Sequence, residues 1–206
     1  MHKYVIGWVL LLSVILNSNC YAQTANALSV GMTTGYRYDN SSLYLEYGIS
    51  SATAVSAEYF VSKYGGNGWA VGGYYYYWSD NNNKVRLFAG LGLARSFGSG
   101  FSIGWSGDGG DKNTFFDVSE ATYLMPTAGI RYNLSGYAQE MEYKRFCSFS
   151  LFLRVGYRTP IGHEAEAAYV SGDPYPAKVN QIQQQVGQGI GFSVGFGIHI
   201  GKKVKM

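Results

Sequence analysis

The stretch that decides the fold is Ile190-Gly191-Phe192-Ser193-Val194-Gly195-Phe196-Gly197-Ile198-His199-Ile200-Gly201. Its even-numbered residues are all apolar, while the odd-numbered ones are Gly, Ser or His. A period of two is the signature of a β-strand, whose successive side chains point to opposite faces. One face of this strand is therefore wholly apolar and the other nearly free of side chains. The same alternation sets Phe149, Leu151, Leu153, Val155 and Tyr157 against Ser150, Phe152, Arg154, Gly156 and Arg158. It also sets Val85, Leu87, Ala89, Leu91 and Leu93 against Arg86, Phe88, Gly90, Gly92 and Ala94.

Read outward by this rule, the chain yields eight segments, at 27–38, 42–50, 53–64, 68–79, 84–97, 122–135, 147–160 and 186–201. Gly, Asn, Asp and Ser clusters of the kind that close hairpins separate the early ones: Asp39-Asn40-Ser41, Ser50-Ser51, Gly65-Gly66-Asn67-Gly68 and Ser79-Asp80-Asn81-Asn82-Asn83. Most segments run about 9 to 15 residues, against a mode of about 5 to 6 in globular proteins. A tilted strand that crosses a bilayer takes about 9 to 11. No uninterrupted apolar run after residue 22 is long enough for a spanning helix, and no helix is expected there at all.

Alternation alone does not say which face meets water, so the polar face decides. Of the 206 residues only 14% are charged, where about 25% is ordinary for a soluble domain. The polar faces carry Gly, Ser, Ala and Thr in place of Lys, Glu and Asp, which suits a narrow lumen filled by side chains. The few charges on those faces have both signs: Arg37, Glu46, Glu58, Arg86, Arg131, Arg154 and Arg158. Buried charges are tolerated only when paired, so Glu46 and Glu58 are expected inside a cluster of arginines. The fold class read from this is all-β, a single eight-stranded antiparallel barrel that crosses a membrane. The alternative is a soluble sandwich with scattered surface charges.

The chain opens with a different composition. Met1-His2-Lys3 is a short positive end, Val5 to Leu16 a continuous apolar stretch, and Cys20-Tyr21-Ala22-Gln23 a small-residue exit. That is the form of a cleaved signal peptide over residues 1–22, leaving a barrel domain over 23–206; cleavage after Ala27 is the second choice. Asn17-Ser18-Asn19 are polar where a lipoprotein signal carries an aliphatic residue, which speaks against lipidation of Cys20. Without the signal, 15 basic residues face 13 acidic ones and Cys147 stands alone, so no internal disulfide is expected. The weak, unclustered positive charge gives no nucleic-acid footprint.

With the start of strand one on the periplasmic side, the two longest connections, 98–121 and 161–185, leave from the same outer end. Long outer loops and short inner turns are the asymmetry of outer-membrane barrels. The connection 136–146 is longer than this pattern expects. Tyr36, Tyr38, Tyr64, Trp69 and Tyr157 are placed near the outer rim, and Tyr75, Tyr77, Trp78 and Tyr132 near the inner one, where amphipathic rings favour the membrane boundary. The run Tyr74-Tyr75-Tyr76-Tyr77-Trp78 is aromatic on both faces and is read as girdle plus core filling.

On these residues the chain resembles the small eight-stranded outer-membrane barrels of the OmpA/OmpX type, and Tyr21-Ala22-Gln23 looks like signal exits common in Bacteroidetes. The resemblance covers residues 27–201 and implies a Gram-negative outer-membrane location, with membrane lipids and the barrel assembly machinery as partners. Gly72-Gly73-Tyr74 is similar to a strand of the conjugal-transfer TraO proteins, which implies a place in a transfer apparatus. Barrels of the first kind close on an aromatic residue, whereas this chain runs Gly201-Lys202-Lys203-Val204-Lys205-Met206.

Catalytic sets are weighed against this. His163, Glu164, Glu166, Ser171 and Asp173 share one long loop and are the residue types of a Ser/His/acid hydrolase or acyltransferase acting on lipid, but there is no Gly-x-Ser-x-Gly elbow. His199 faces the lumen, with Ser193 about 20 Å away along the strand. Asp108-Gly109-Gly110-Asp111-Lys112-Asn113 lacks the ligand order of a calcium loop. No catalytic, metal or cofactor site is assigned, and the chain is read as a non-enzymatic, monomeric envelope component. Its contact candidates for a surface protein or glycan are Phe101, Trp105, Phe115, Phe116, Tyr169 and Tyr175, with Ile182 and Val186 extending strand eight as a protruding edge.

Overall fold

The computed structural model describes residues 27–36, 41–50, 52–62, 64, 66–80, 84–107, 110–134, 145–172 and 176–202. In chain order the elements are β1 (Ala27–Tyr36), β2 (Ser41–Gly48), β3 (Thr53–Ser62), β4 (Gly66–Ser79), β5 (Val85–Ser96), β6 (Ser99–Gly107), β7 (Gly110–Val118), β8 (Ala121–Asn133), β9 (Arg145–Pro160), β10 (Ala167–Gly172), α1 (Pro176–Val186) and β11 (Gly189–Lys202). The proposed signal segment, Arg37, Tyr38, Asp108, Asp173 and Tyr175 lie outside the described residues.

Eight strands close into a barrel in the order β1-β11-β9-β8-β5-β4-β3-β2. The closing ladder joins the first strand to the last, from Ala27 opposite Gly201 to Tyr36 opposite Phe192. All the barrel pairs are antiparallel. The alternation sorts the side chains inside out: Ile190, Phe192, Val194 and Phe196 stand exposed on the outer wall, while Ser29, Thr33, Glu46, Arg86, Arg131, Arg154 and His199 are buried within. The apolar belt runs right round, from Leu28 and Val30 through Leu43, Val55, Val71, Leu91 and Ile130 to Leu151 and Val155. Among the described residues no helix is long and apolar enough to cross a membrane.

Inward glycines make room for inward rings. A Cβ on Gly195 would lie 2.5 Å from Phe152 Cζ and 2.8 Å from the Met32 carbonyl oxygen, and Gly31 and Gly129 face Tyr44 and Phe88 in the same way. The five-aromatic run is resolved by a β-bulge. Tyr76 pairs with Phe88 and Trp78 with Leu87, so Tyr77 is the extra residue. Tyr76 follows Tyr74 into the lumen by alternation, and the bulge after it shifts the phase and turns Trp78 outward. Tyr74 and Tyr76 both pack on Phe88, with ring centroids 5.2 and 5.7 Å apart. Tyr36, Trp69, Tyr157 and Tyr132 face outward, but Tyr64, placed on the rim by the sequence, is buried.

Two expectations are overturned at the mouth. Residues 98–121 are not an irregular loop but hold the β6–β7 hairpin, and the segment read as a rising extension of strand eight contains the helix α1. Ile182 and Val186 are four residues from each other, and Val186 is four from Ile190. That spacing satisfies a period of two and a helical turn equally, so parity alone misassigns it. Val179 breaks the tie, because 179, 182 and 186 share one face only on a helix. Pro176 opens that helix, a position where its missing N–H costs nothing.

The second sheet runs β10-β7-β6. This repeats the barrel order β9-β8-β5, since β6 follows β5, β7 leads into β8 and β10 follows β9. Bonds from Ile161 N to Thr122 O and from Ser119 N to Glu166 O carry the β8–β9 contact upward into it. The barrel wall thus rises beyond its mouth on one side.

A substitution pair tests the glycine packing. Gly195→Val is expected to cost about 1–3 kcal/mol in urea unfolding of the detergent-folded protein. Gly73→Val, where only the Ala54 carbonyl oxygen comes within 4 Å, at 3.9 Å, should stay within about 0.5 kcal/mol.

Candidate functional site

The lumen decides whether anything can pass through the ring. Arg131 on β8 donates from Nη1 and Nη2 to the two carboxylate oxygens of Glu46 on β2, each at 2.7 Å. Tyr76 donates to the same carboxylate at 2.8 Å. Arg154 on β9 makes the second fork to Glu58 on β3, and also donates from Nη1 to the Tyr74 hydroxyl at 2.8 Å and from Nε to Ser193 Oγ at 3.2 Å. In the barrel order β2 stands opposite β8 and β3 opposite β9, so both pairs cross the lumen rather than join neighbours.

Each glutamate is thus gripped by one arginine, Glu46 by Arg131 and Glu58 by Arg154. Arg86 lies over the Tyr76 ring at 3.8 Å and Arg158 over Tyr123 at 5.6 Å. His199 sits within 2.6 Å of Ser150 Oγ. Ser193, the serine considered for His199 on sequence grounds, is held by Arg154. Glycines of the Gly72-Gly73-Tyr74 triplet thin the wall, and its tyrosine joins the Glu58–Arg154 brace.

Above the lumen lies a cap with its own core. Val179, Ile182 and Val186 of α1 pack with Phe60, Tyr64, Ala94, Phe101, Ile103, Phe116, Val118, Tyr123, Met125 and Ala165. Ile182 is fully buried. Phe101 stacks on Phe116 at 5.7 Å and meets Tyr64 at 5.6 Å. Phe116, named from sequence as an outer contact, is therefore a core residue; Phe115 beside it and Tyr169 are exposed. Trp105 is half-buried, donating from Nε1 to Thr114 Oγ1 at 3.0 Å with Lys112 Nζ over its ring at 5.2 Å. The sequence carried a signal for β6 in the alternation Phe101-Ser102-Ile103-Gly104-Trp105.

Polar side chains bolt the cap to the wall. The Tyr123 hydroxyl donates to the Val186 carbonyl at 2.9 Å and accepts from Ala165 N at 3.0 Å. Gln183 acts as a surrogate strand: its Oε1 accepts from Ala167 N and its Nε2 donates to the Ala165 carbonyl, both at 2.8 Å. Glu164 accepts from Gln188 N, and His163 Nε2 bonds the Glu120 carbonyl at 2.9 Å. His163 and Glu164, two of the loop residues considered for hydrolysis, serve here as fasteners. Among the described residues no group of three or more His, Cys, Asp or Glu is placed to hold a metal ion.

Two outcomes follow for stability. Glu46→Gln leaves Arg131 buried without its counter-charge and should cost about 3–5 kcal/mol in urea unfolding, whereas Glu46→Leu with Arg131→Met should cost less than that single change. Tyr123→Phe removes one acceptor and one donor from buried backbone groups, about 1–3 kcal/mol for each group left unsatisfied. Limited proteolysis should then cut within 161–188 sooner, with the barrel fragment intact.

Against known proteins, no family model matches the chain and no curated protein matches it. Among solved structures, it is similar to the N-terminal β-barrel domain of Pseudomonas aeruginosa OprF, with a TM-score of 0.49 and 13% identity over 86% of this chain and 99% of that one.

Proposed function

We propose that the protein is an integral outer-membrane β-barrel that acts as a non-enzymatic surface-contact component, holding a folded cap outside the cell. The observation that carries this reading is the inside-out wall. A closed ring of strands turns Leu, Ile, Val and Phe outward all round and keeps Glu46, Arg86, Arg131, Arg154 and Arg158 inside, an arrangement at home in lipid, where every backbone polar group must be paired within the barrel.

The orientation follows from the connections. The described strand ends Ala27 and Lys202 lie at the end of the short β2–β3 and β4–β5 turns, while the cap lies at the other end. With short turns on the periplasmic side, the cap faces outward. A lumen crossed by two ion pairs and filled by Tyr44, Tyr76, Phe88 and Phe152 suits a structural plug better than a channel. The exposed parts of the cap, Phe115, Tyr169 and Val170 among them, are its contact surface.

Expression in a Gram-negative host tests the reading. The protein should fractionate with outer membranes, need detergent for extraction, and migrate differently on a gel before and after boiling. In planar bilayers it should give no steady current. Recovery as a soluble periplasmic protein without detergent overturns the reading.

A further inference from the structure

The two edges of the cap sheet are treated differently. Beyond β10 the edge is closed by α1, with Gln183 bonding the backbone at Ala165 and Ala167. Beyond β6 no strand follows: among the described residues β6 has β7 as its single strand partner, and the turn before β4 touches the start of the edge, where Ser99 Oγ donates to the Tyr64 carbonyl at 3.3 Å. Exposed edges are commonly guarded by Lys, Pro or a bulge. Residues Ser99–Gly107, Ser-Gly-Phe-Ser-Ile-Gly-Trp-Ser-Gly, contain no charge and no proline, and their register with β7 is unbroken from Ser99 to Gly107. Alternate residues of such a strand turn their N–H and C=O groups to the open side.

We propose that the free edge of β6 is a docking site for an extended peptide segment bearing basic side chains, which adds to the sheet as a fourth strand. The proposal rests on the surface-contact reading above and names its site and partner. Charge selects the occupant. On the sheet's outward face Gly100, Ser102, Gly104 and Ser106 lie opposite Asp117, Phe115, Asn113 and Asp111; both aspartates and Phe115 are exposed.

The low row in front of them leaves a path. A Cβ on Gly100 would meet only the Phe116 carbonyl oxygen, at 3.9 Å, so packing of the cap does not demand a glycine there. An added strand would lie two strand spacings from β7, about 10 Å, within reach of a Lys or Arg leaning over the Gly/Ser row. Asp111 and Asp117 are six residues apart, about 20 Å along the strand, and so call for basic residues six apart on one face. On the other face the half-buried Phe101, Ile103 and Trp105 offer apolar contact to the residues between.

A second copy fits less well. Two barrels in one membrane are related by an axis along its normal, which would run their β6 strands in the same direction with like edges facing. Sheets pair like edges only when the strands are antiparallel.

The test uses the full chain in detergent and the peptide Ser-Lys-Val-Ser-Val-Tyr-Val-Lys-Ser, followed by fluorescence anisotropy and amide hydrogen exchange. The peptide should bind and slow exchange at alternate amides of β6. Replacing both of its Lys by Glu should weaken binding at least tenfold, as should Gly100→Lys with Ser102→Lys in the protein. Asp111→Asn with Asp117→Asn should weaken it about threefold. No binding at millimolar peptide, or binding indifferent to these changes, overturns the proposal. A dimer with β6 amides protected in the absence of peptide also overturns it, in favour of a second copy. Gel migration of the same samples before and after boiling reports on the barrel alone, so failure to dock and failure of the barrel reading are told apart.

Discussion

The structure depends on two ion pairs that reach across the lumen. Glu46 meets Arg131, and Glu58 meets Arg154, from strands that stand opposite each other in the ring. A small barrel with an apolar exterior has nowhere else to put ionised groups, and an unpaired one inside would cost several kcal/mol. Pairing across the diameter satisfies both charges and occupies the space that eight strands enclose. Neighbouring-strand pairs would have met the first requirement and left the centre empty.

The rest of the interior is fitted to these braces by size. Large inward rings lie where the facing position is glycine, as Phe152 does against Gly195, so high glycine and high aromatic content are two halves of one packing solution. The shortage of charge has the same origin: one face of each strand meets the apolar belt, the other a lumen with room for little more than the braces. Tyr76 joins the two themes, since its ring packs on Phe88 while its hydroxyl supports Glu46.

Much of this was legible in the sequence, because period two is a local property that each strand states for itself. The inward position of Glu46, Glu58, Arg131 and Arg154 follows from parity. Which arginine meets which glutamate does not, since it depends on how the ring closes, and nothing between residues 46 and 131 encodes that they face each other. The cap escapes parity for a related reason. A spacing of four, as at Ile182, Val186 and Ile190, is common to strand and helix, and glycine-rich aromatic segments such as 98–107 look alike whether they pair as hairpins or wander as loops. Phe116 and Tyr64 read as surface residues in the sequence because the core that buries them is completed by α1, far along the chain.

That dependence orders the assembly. The first and last barrel strands are separated by most of the chain, so their ladder carries the largest loop-closure cost in the fold. Helix α1 is joined to β11 by Gly187 and Gln188 alone, and Ile182 is buried only against groups on the wall and hairpin. The seat of the helix is therefore tied to that of β11, between β9 and β1. Tyr123, bonded at once to Val186 and Ala165, binds the end of α1 and the approach to β10 to β8. Seating the cap in this way requires the wall beneath it, so a cap that is whole reports a barrel in which β11 has taken its place.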